Sequence, residues 1–268
     1  MNPKIIARKI RTFTAASPEL RRNLLQHKMR PALRRKFLGA IENPVARIFH
    51  RVYYHKPDSW FHNVWFGFPI SQFPGDLYLY QEIISRRTPD YIVQTGVFLG
   101  GSALFFAHML DLANAPLTAK VIAIDINLSD KAKELNHPRI TLIEGSSTSP
   151  ETIKQVERLI ADIPHVNGGM VSLDSDHTKD HVVEELKYYP QFVGVGNYLV
   201  VEDTNINNNP VLGEHGPGPF EALREFLKTN HNFQQDNALW QRNLFSHHQY
   251  GWLRKPIREI FLGQRQYV

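Results

Sequence analysis

Two short acidic stretches follow apolar runs: Asp174-Ser175-Asp176-His177-Thr178-Lys179 after Gly169–Leu173, and Glu202-Asp203 after Tyr198–Val201. Both stand where a buried parallel strand would end, and open α/β sheets bind their ligands in the crevice beyond the carboxyl ends of the strands. Asp176, Glu202 and Asp203 together offer the oxygen ligands that Mg²⁺ takes, with water or substrate oxygens completing an octahedron. The ordinary alternative for any one of these acids is a cap on the next helix. Two clusters after adjacent strands point instead to a site. A cation held there would lower the pKa of a substrate hydroxyl, and His177 and Lys179 are near enough in sequence to take the proton. His177 needs no pKa shift for that role, whereas Lys179 needs a depressed pKa.

A glycine-rich turn supplies the second element of chemistry. Tyr91–Thr95 runs into Gly96-Val97-Phe98-Leu99-Gly100-Gly101-Ser102, where the backbone can approach a ligand closely and a helix amino terminus offers unpaired N–H groups. The Gly96 to Gly100 spacing matches neither the dinucleotide fingerprint nor the P-loop, so it suits a nucleoside cofactor without a pyrophosphate. Asp125 follows 29 residues after Gly96, at the end of the next apolar run. A carboxylate there can accept from both hydroxyls of a ribose. Ser146 and Ser147, after a third run, are placed to reach an adenine edge. Glycine turn and Asp125 together favour S-adenosylmethionine over nucleotide cofactors, and a hydroxyl oriented at the acidic cluster would attack its methyl sulfonium in line.

These residues need a scaffold that lines up strand ends. From residue 90 strand and helix patterns alternate in the manner of a parallel, doubly wound sheet. Strands are expected at 91–95, 121–126, 140–144, 169–173 and 198–201, with helices at 102–112, 150–161, 180–189 and 220–229. Residues 233–253 could add two more strands. Residues 57–76, with Trp60-Phe61, Trp65-Phe66-Gly67-Phe68-Pro69 and Phe73-Pro74-Gly75-Asp76, read as a loop with turns, either a lid over a pocket or packing between an arm and the body. A helix at 77–85 follows, with Asp76 as its N-cap.

The chain has 268 residues, 42% hydrophobic and 21% charged, enough for one sizeable domain with an extension. Its domains are read as a basic helical arm at 1–56, an aromatic loop and lead-in helix at 57–89, and the sheet domain at 90–268. The net charge of +5 hides an asymmetry: residues 1–56 carry 14 Lys or Arg against Glu19 and Glu42, a net of +12, and the remainder a net of −7. Arg21-Arg22 and Arg34-Arg35-Lys36 are interleaved with Leu24, Leu25, Leu33, Phe37 and Leu38, a pattern for amphipathic helices at a membrane surface or between subunits. The basic residues do not line the crevice, so nucleic acid is not an expected partner. With no cysteine, the chain excludes disulfides, zinc–thiolate sites and thiol nucleophiles. No apolar run reaches the length of a membrane span, the amino terminus does not read as a signal peptide, and a reducing cytoplasm is the expected location.

With these segments assembled, the chain resembles the cephalosporin hydroxylase and rhamnosyl O-methyltransferase family over roughly residues 60–255. The segments that carry the resemblance are Phe73 to Asp76, Gly100-Gly101-Ser102, ITLIEGSS from Ile140 to Ser147, LDSDH from Leu173 to His177, VVEDT from Val200 to Thr204, and GPGPF from Gly216 to Phe220. The resemblance implies a Rossmann-like class I methyltransferase fold with helices on both faces of the sheet, and S-adenosylmethionine and Mg²⁺ as cofactors. Asp176-His177-Thr178-Lys179-Asp180 is also similar to the metal-binding turn of catechol O-methyltransferase. That similarity implies Asp176, rather than Asp174, as a ligand, Lys179 as general base, and Glu202 and Asp203 as the remaining ligands. The cofactor site is expected at Gln94, Gly96, Gly100, Ser102, Asp125, Ser146, Ser147 and Asp176. Gln94 departs from the pattern, because relatives usually carry an acid two residues before the first glycine.

The expected function is therefore Mg²⁺-dependent transfer of a methyl group to a hydroxyl, on a sugar of a glycolipid, polysaccharide or natural product. The partners expected are a small-molecule or lipid-linked sugar acceptor, a second copy of the chain, and a membrane face touched by the basic arm. Asn205, Asn207, Asn208 and Asn209 are expected near the acceptor, and His247-His248 at the pocket rim. Two alternatives are a metal-dependent oxygenase, for which His177 and His181 would be the histidine ligands, and a non-catalytic cofactor-binding subunit.

Overall fold

The computed structural model describes residues 31–164 and 167–257, with side chains from residue 43 onward. It divides the chain into two compact units, Met1–Pro57 and Asp58–Val268. In the first, helix α1 (Pro31–His55) contains the Arg34-Arg35-Lys36 stretch expected to be helical. The Arg21-Arg22 segment lies outside the described residues.

The second unit opens with a short hairpin, β1 (Val64–Trp65) and β2 (Phe68–Pro69), inside the segment read as a loop. Its turn carries Phe66 at φ 46° and Gly67 at φ 84°, both left-handed. Helix α2 (Pro74–Arg87) begins earlier than expected, since Pro74 needs no N–H partner at a first helical position. Asp76 is therefore not the N-cap. It lies in the first turn, fully buried, and its Oδ2 accepts from the His247 N–H at 2.8 Å.

The sheet follows as β3 (Tyr91–Thr95), β4 (Lys120–Asp125), β5 (Ile140–Glu144), β6 (Gly169–Leu173) and β7 (Tyr198–Val201). The helices between them are α3 (Gly101–Leu112), the short α4 (Asp130–Lys133), α5 (Pro150–Ala161) and α6 (Lys179–Tyr188). Helix α7 (Pro219–Thr229), β8 (Gln234–Gln235), α8 (Asn237–Gln241) and β9 (Trp252–Arg254) complete the unit, and β8 and β9 supply the two expected late strands. Strand order is β5-β4-β3-β6-β7-β9-β8, with β3 to β7 parallel and β9 antiparallel to both of its neighbours.

Strand alternation sorts side chains into two cores. Ile92, Met170, Tyr198 and Val200 join α2 and α3 on one face; Tyr91, Val93, Val171, Leu199 and Val201 join α5, α6 and α7 on the other. Helices thus cover both faces, as a doubly wound parallel sheet requires. The chain leaves β3 toward β5 and returns to β6 on the other flank of β3, so the topological switch point lies between β3 and β6. Gly96 and Asp174 meet there. A Cβ on Gly96 would sit 1.8 Å from the Asp174 carbonyl oxygen, and Gly96 has φ 77°, so both space and backbone demand glycine. Among the described residues no helix is long and apolar enough to cross a membrane.

Candidate active site

A cavity of about 420 Å³ opens at this switch point. It is lined by Gly96, Phe98, Asp125, Ile126, Ser146, Ser147, Asp174, Ser175, Asp176 and His181 among others. The size suits a small ligand. Of the expected cofactor residues, Gly96, Asp125, Ser146, Ser147 and Asp176 reach it.

Asp125 ends β4 and ties the glycine turn to it. Its Oδ2 accepts from the Val97 and Phe98 N–H groups, each at 2.9 Å, and its Oδ1 from Asn127 N–H at 3.0 Å. A carboxylate has about four acceptor positions, so capacity for a hydroxyl donor remains. On the opposite wall Ser147 Oγ lies 3.0 Å from His181 Nε2, and Ser146 Oγ lies 3.1 Å from Thr148 Oγ1.

Gln94, Gly100 and Ser102 are not among the lining residues. Gln94 points from β3 toward α3, where its amide donates to the Gly96 carbonyl at 2.7 Å and to Ser102 Oγ at 2.6 Å. An ionised acid could not donate to that carbonyl, which gives the glutamine a structural role that an aspartate would not fill. Its Oε1 is buried with no partner among the described residues. Gly100 is the N-cap of α3 at φ 90°, and a Cβ there would press on Leu135.

Beyond the cavity, β6 and β7 bring the acidic stretches together with a changed membership. Among the described residues, one grouping offers ligand atoms within 4.8 Å of one another: Asp174, His177 and Asp203. His177 sits between the two carboxylates, Nε2 at 3.3 Å from Asp174 Oδ1 and Nδ1 at 3.5 Å from Asp203 Oδ2. Burial works against a charge on this imidazole, but Asp203 and Asp174 outweigh it and push its pKa up to about 10. Asp174 is pushed up to about 8, first by burial and then by Glu202. Two carboxylates so close need a positive charge between them. His177 supplies it here.

Asp176 is not in this grouping. Its Oδ1 accepts from the Thr178 N–H at 2.8 Å in the turn entering α6, which holds its carboxyl below the ordinary range despite some burial. It reaches the cofactor cavity, and the acid grouped with Asp203 is Asp174, the one that the likeness to catechol O-methyltransferase had set aside. Lys179 also differs from expectation. It lies on the outer surface of α6, with Nζ 2.8 Å from Glu225 Oε2, and that ion pair raises its pKa rather than lowering it. His177 would likewise need its two carboxylate neighbours neutralised before it could accept a proton near neutral pH.

Glu202 and Asp203 face different ways, and strand parity explains why. Glu202 continues the side of β7 that carries Tyr198 and Val200, so it enters the core under α2. There it is 3% exposed and accepts from Tyr80 OH at 2.6 Å, Gln72 Nε2 at 2.5 Å and Ser172 Oγ, with His248 Nε2 3.2 Å away. Asp203 lies just past the end of β7 with a left-handed φ of 50°, and its Oδ2 stands 3.5 Å from His177 Nδ1. The Asp203 N–H donates to His248 Nδ1 at 3.0 Å, and that bond leaves Nε2 of a neutral ring as its donor. Gln72 Nε2 also reaches Asp174 Oδ2 at 3.2 Å, so one amide links the two acidic stretches.

Gln72, Tyr80 and Ser172 were not singled out in the sequence. Their signal was periodicity: Asp76 and Tyr80 lie four apart on one face of α2, and Ser172 shares the parity of Glu202's partners. His247 and His248, expected at a pocket rim, are 1% and 0% exposed. The asparagines largely serve their own loop: Asn207 and Asn208 take left-handed φ values of 52° and 66°, and Asn209 Nδ2 donates to the Ile206 and Asn207 carbonyls. His181 and His177 do not converge. His181 bonds Ser147 and lies 3.6 Å from Glu185, leaving the acidic cluster with one histidine where a two-histidine, one-carboxylate iron site needs two.

The strand order, the glycine turn at the switch point and the acids beyond β6 and β7 define a Rossmann-like fold of the S-adenosylmethionine-dependent methyltransferase class. A structure of CmcI with Mg and SAM superposes with a TM-score of 0.57 at 19% identity over 77% of this chain and 84% of that one. Apo CmcI gives 0.55 at 21% identity over 73% and 77%. The rhamnosyl O-methyltransferase/CmcI family model matches residues 58–256, and the chain belongs to that family. Rhamnosyl O-methyltransferase of Mycobacterium leprae (strain TN) is 36% identical over 192 residues, covering 70% of this chain and 81% of the relative. That of Mycobacterium tuberculosis (strain ATCC 25618 / H37Rv) is 33% identical over 216 residues, covering 79% and 82%.

Proposed function

We propose that this protein transfers the methyl group of S-adenosylmethionine to a sugar hydroxyl with the help of a divalent cation, Mg²⁺. One observation carries the reading: Asp174 both lines the cofactor-sized cavity and joins Asp203 and His177 in the one ligand grouping found among the described residues. The donor set fits a hard cation, because two carboxylates crowd around a charge that a histidine now supplies. Asp174 and Asp203 would hold it, with Glu202 behind them fixing the strand end. Bound there, Mg²⁺ would lower the pKa of the acceptor hydroxyl.

The chain's own residues supply the rest. Asp125 and Ser147 face the cavity from opposite walls, where a ribose and an adenine would lie. The glycine turn leaves room for the ligand's backbone contacts, and Gln94 braces that turn from below. The acceptor oxygen forms a bond to the methyl carbon as the carbon–sulfur bond breaks, and the hydroxyl proton must leave. His177 is the titratable base at that point, while Lys179 is engaged with Glu225 on the far side of its helix turn. Once Asp174 and Asp203 are neutralised, the main influences raising the His177 pKa are removed and only the smaller pull of Glu202 is left, so its imidazole can take the proton.

The sugar acceptor rests on the names of the curated relatives, and a lipid-linked one would suit the basic residues ahead of residue 57. Incubation with methyl-labelled S-adenosylmethionine and rhamnosides, with Mg²⁺ or EDTA, tests the reading. Label should enter the sugar only when Mg²⁺ is present. Label transfer that EDTA leaves unchanged would remove the cation from the proposal, and cofactor binding with no transfer to any glycoside would favour a binding subunit.

A further inference from the structure

The far end of the sheet carries a second polar cavity, of about 300 Å³, between the end of α2, the start of β7 and the end of β9. Tyr198 begins β7 and pairs with Arg254 at the end of antiparallel β9, so the cavity sits at the amino ends of the parallel strands, away from the cofactor crevice. Four arginines border it: Arg86, Arg87, Arg242 and Arg254. Two carboxylates do so as well, and both are engaged. Glu82 binds Arg242 through Nη2 at 2.5 Å, and Arg86 stands 3.5 Å from the same oxygen. Asp236 accepts from Tyr198 OH at 2.8 Å and caps α8 by accepting from the Leu239 N–H at 3.1 Å.

Arg87 and Arg254 therefore have no carboxylate within ion-pair distance among the described residues. Both line the same small cavity as Tyr198, which places two guanidinium groups without a carboxylate partner around one volume. Burial and the bond to Asp236 push the Tyr198 hydroxyl up to about 12, against the opposing pull of these two arginines. Like charges converge at a cost unless an anion joins them. A guanidinium offers a planar fork of donors that matches the oxygens of a phosphoryl group, and Tyr198 adds a hydroxyl beside it. A single carboxylate would satisfy one arginine, whereas a phosphoryl dianion matches the excess of two positive charges.

We propose that this cavity binds a phosphoryl group, held by Arg87 and Arg254 and bordered by Tyr198. The group could be carried by a free phosphorylated metabolite or by a phospholipid headgroup, and the two sources separate experimentally. The site owes nothing to the methyl-transfer reading and stands if that reading fails.

The test is a calorimetric titration of the full chain with inorganic pyrophosphate, against sodium chloride of matched ionic strength. A parallel sedimentation assay uses vesicles of phosphatidylcholine alone or with one-fifth phosphatidic acid. Saturable pyrophosphate binding is expected, weakened about tenfold or more in R87Q and in R254Q, with S-adenosylmethionine affinity unchanged in both as the control for folding. Glu82→Gln removes the acid that engages Arg86 and Arg242 and should tighten binding, an effect of opposite sign that misfolding does not mimic. Vesicle binding that falls in R87Q and R254Q without any pyrophosphate binding would assign the headgroup as the source. The inference is overturned if neither probe binds above the salt control, or if binding is the same in wild type, R87Q and R254Q.

Discussion

The two halves of the crevice are built from different materials. Over β3 to β5 the wall consists of a glycine turn, backbone N–H groups gathered by Asp125, and serine hydroxyls. Over β6 and β7 it consists of titratable side chains that neutralise one another, with His177 between Asp174 and Asp203. The first half is ready for a ligand as it stands. The second holds its charges in pairs that the proposed cation would replace, so its chemistry would depend on what is bound while the first half's geometry would not.

Changes on either side should separate the two halves, the largest effect falling on the acidic one. Asp203→Asn removes a charge from the proposed cation site and should cut turnover by at least about a thousandfold, the several kcal/mol that metal assistance supplies. Its affinity for S-adenosylmethionine, read by calorimetry, should stay near that of wild type; equal loss of both would mean that the halves are not separate. Gly96→Ala acts at their boundary. The added methyl meets the Asp174 carbonyl and φ 77° is unfavourable, so denaturant unfolding should show a loss of about 2–4 kcal/mol.

A third change is pH. Without a cation, Asp174 is pushed up to about 8, so the unfolded chain releases that proton first and stability falls as pH rises toward 8. His177 is pushed up to about 10, and its contribution, full below its unfolded pKa near 6.5, is lost as pH rises through 10. Both slopes run the same way between about 6.5 and 8. Thermal unfolding in EDTA should therefore show a melting temperature that declines across this window, and Mg²⁺ should raise it more at the alkaline end, since the cation competes with those protons. A Mg²⁺ effect independent of pH would break the pairing of cation and His177. The smallest effect belongs to Lys179→Ala, which removes an exposed ion pair with Glu225 and should leave turnover close to wild type. A collapse of turnover with an intact fold would restore Lys179 as the base.

Legibility in the sequence followed the same division. Gly96, Asp125, Ser146 and Ser147 were readable because a strand end followed by glycine, acid or serine fixes the position of backbone as much as of side chain. The parallel strands were equally plain, since β3, β6 and β7 are buried along their whole length and read as apolar runs. Side-chain direction was harder to see. Asp174 and Asp176 are two apart, and only the turn into α6, where Asp176 caps Thr178, decides which one faces Asp203. Asp203 takes a left-handed φ just past the end of β7, and nothing in the composition of the pair announces it. Lys179 shares its motif with His177, yet Glu225 lies 46 residues further along and comes to it through the packing of α6 against α7.

The most direct test of the cation assignment is a crystal grown with Mn²⁺ and S-adenosylhomocysteine, read by anomalous difference density. The structure predicts a peak bounded by the Asp174 and Asp203 carboxylates, beside a cofactor whose ribose meets Asp125, with Asp176 outside the coordination shell. A peak on Asp176, or none at the β6 and β7 ends with the cofactor in place, would contradict it.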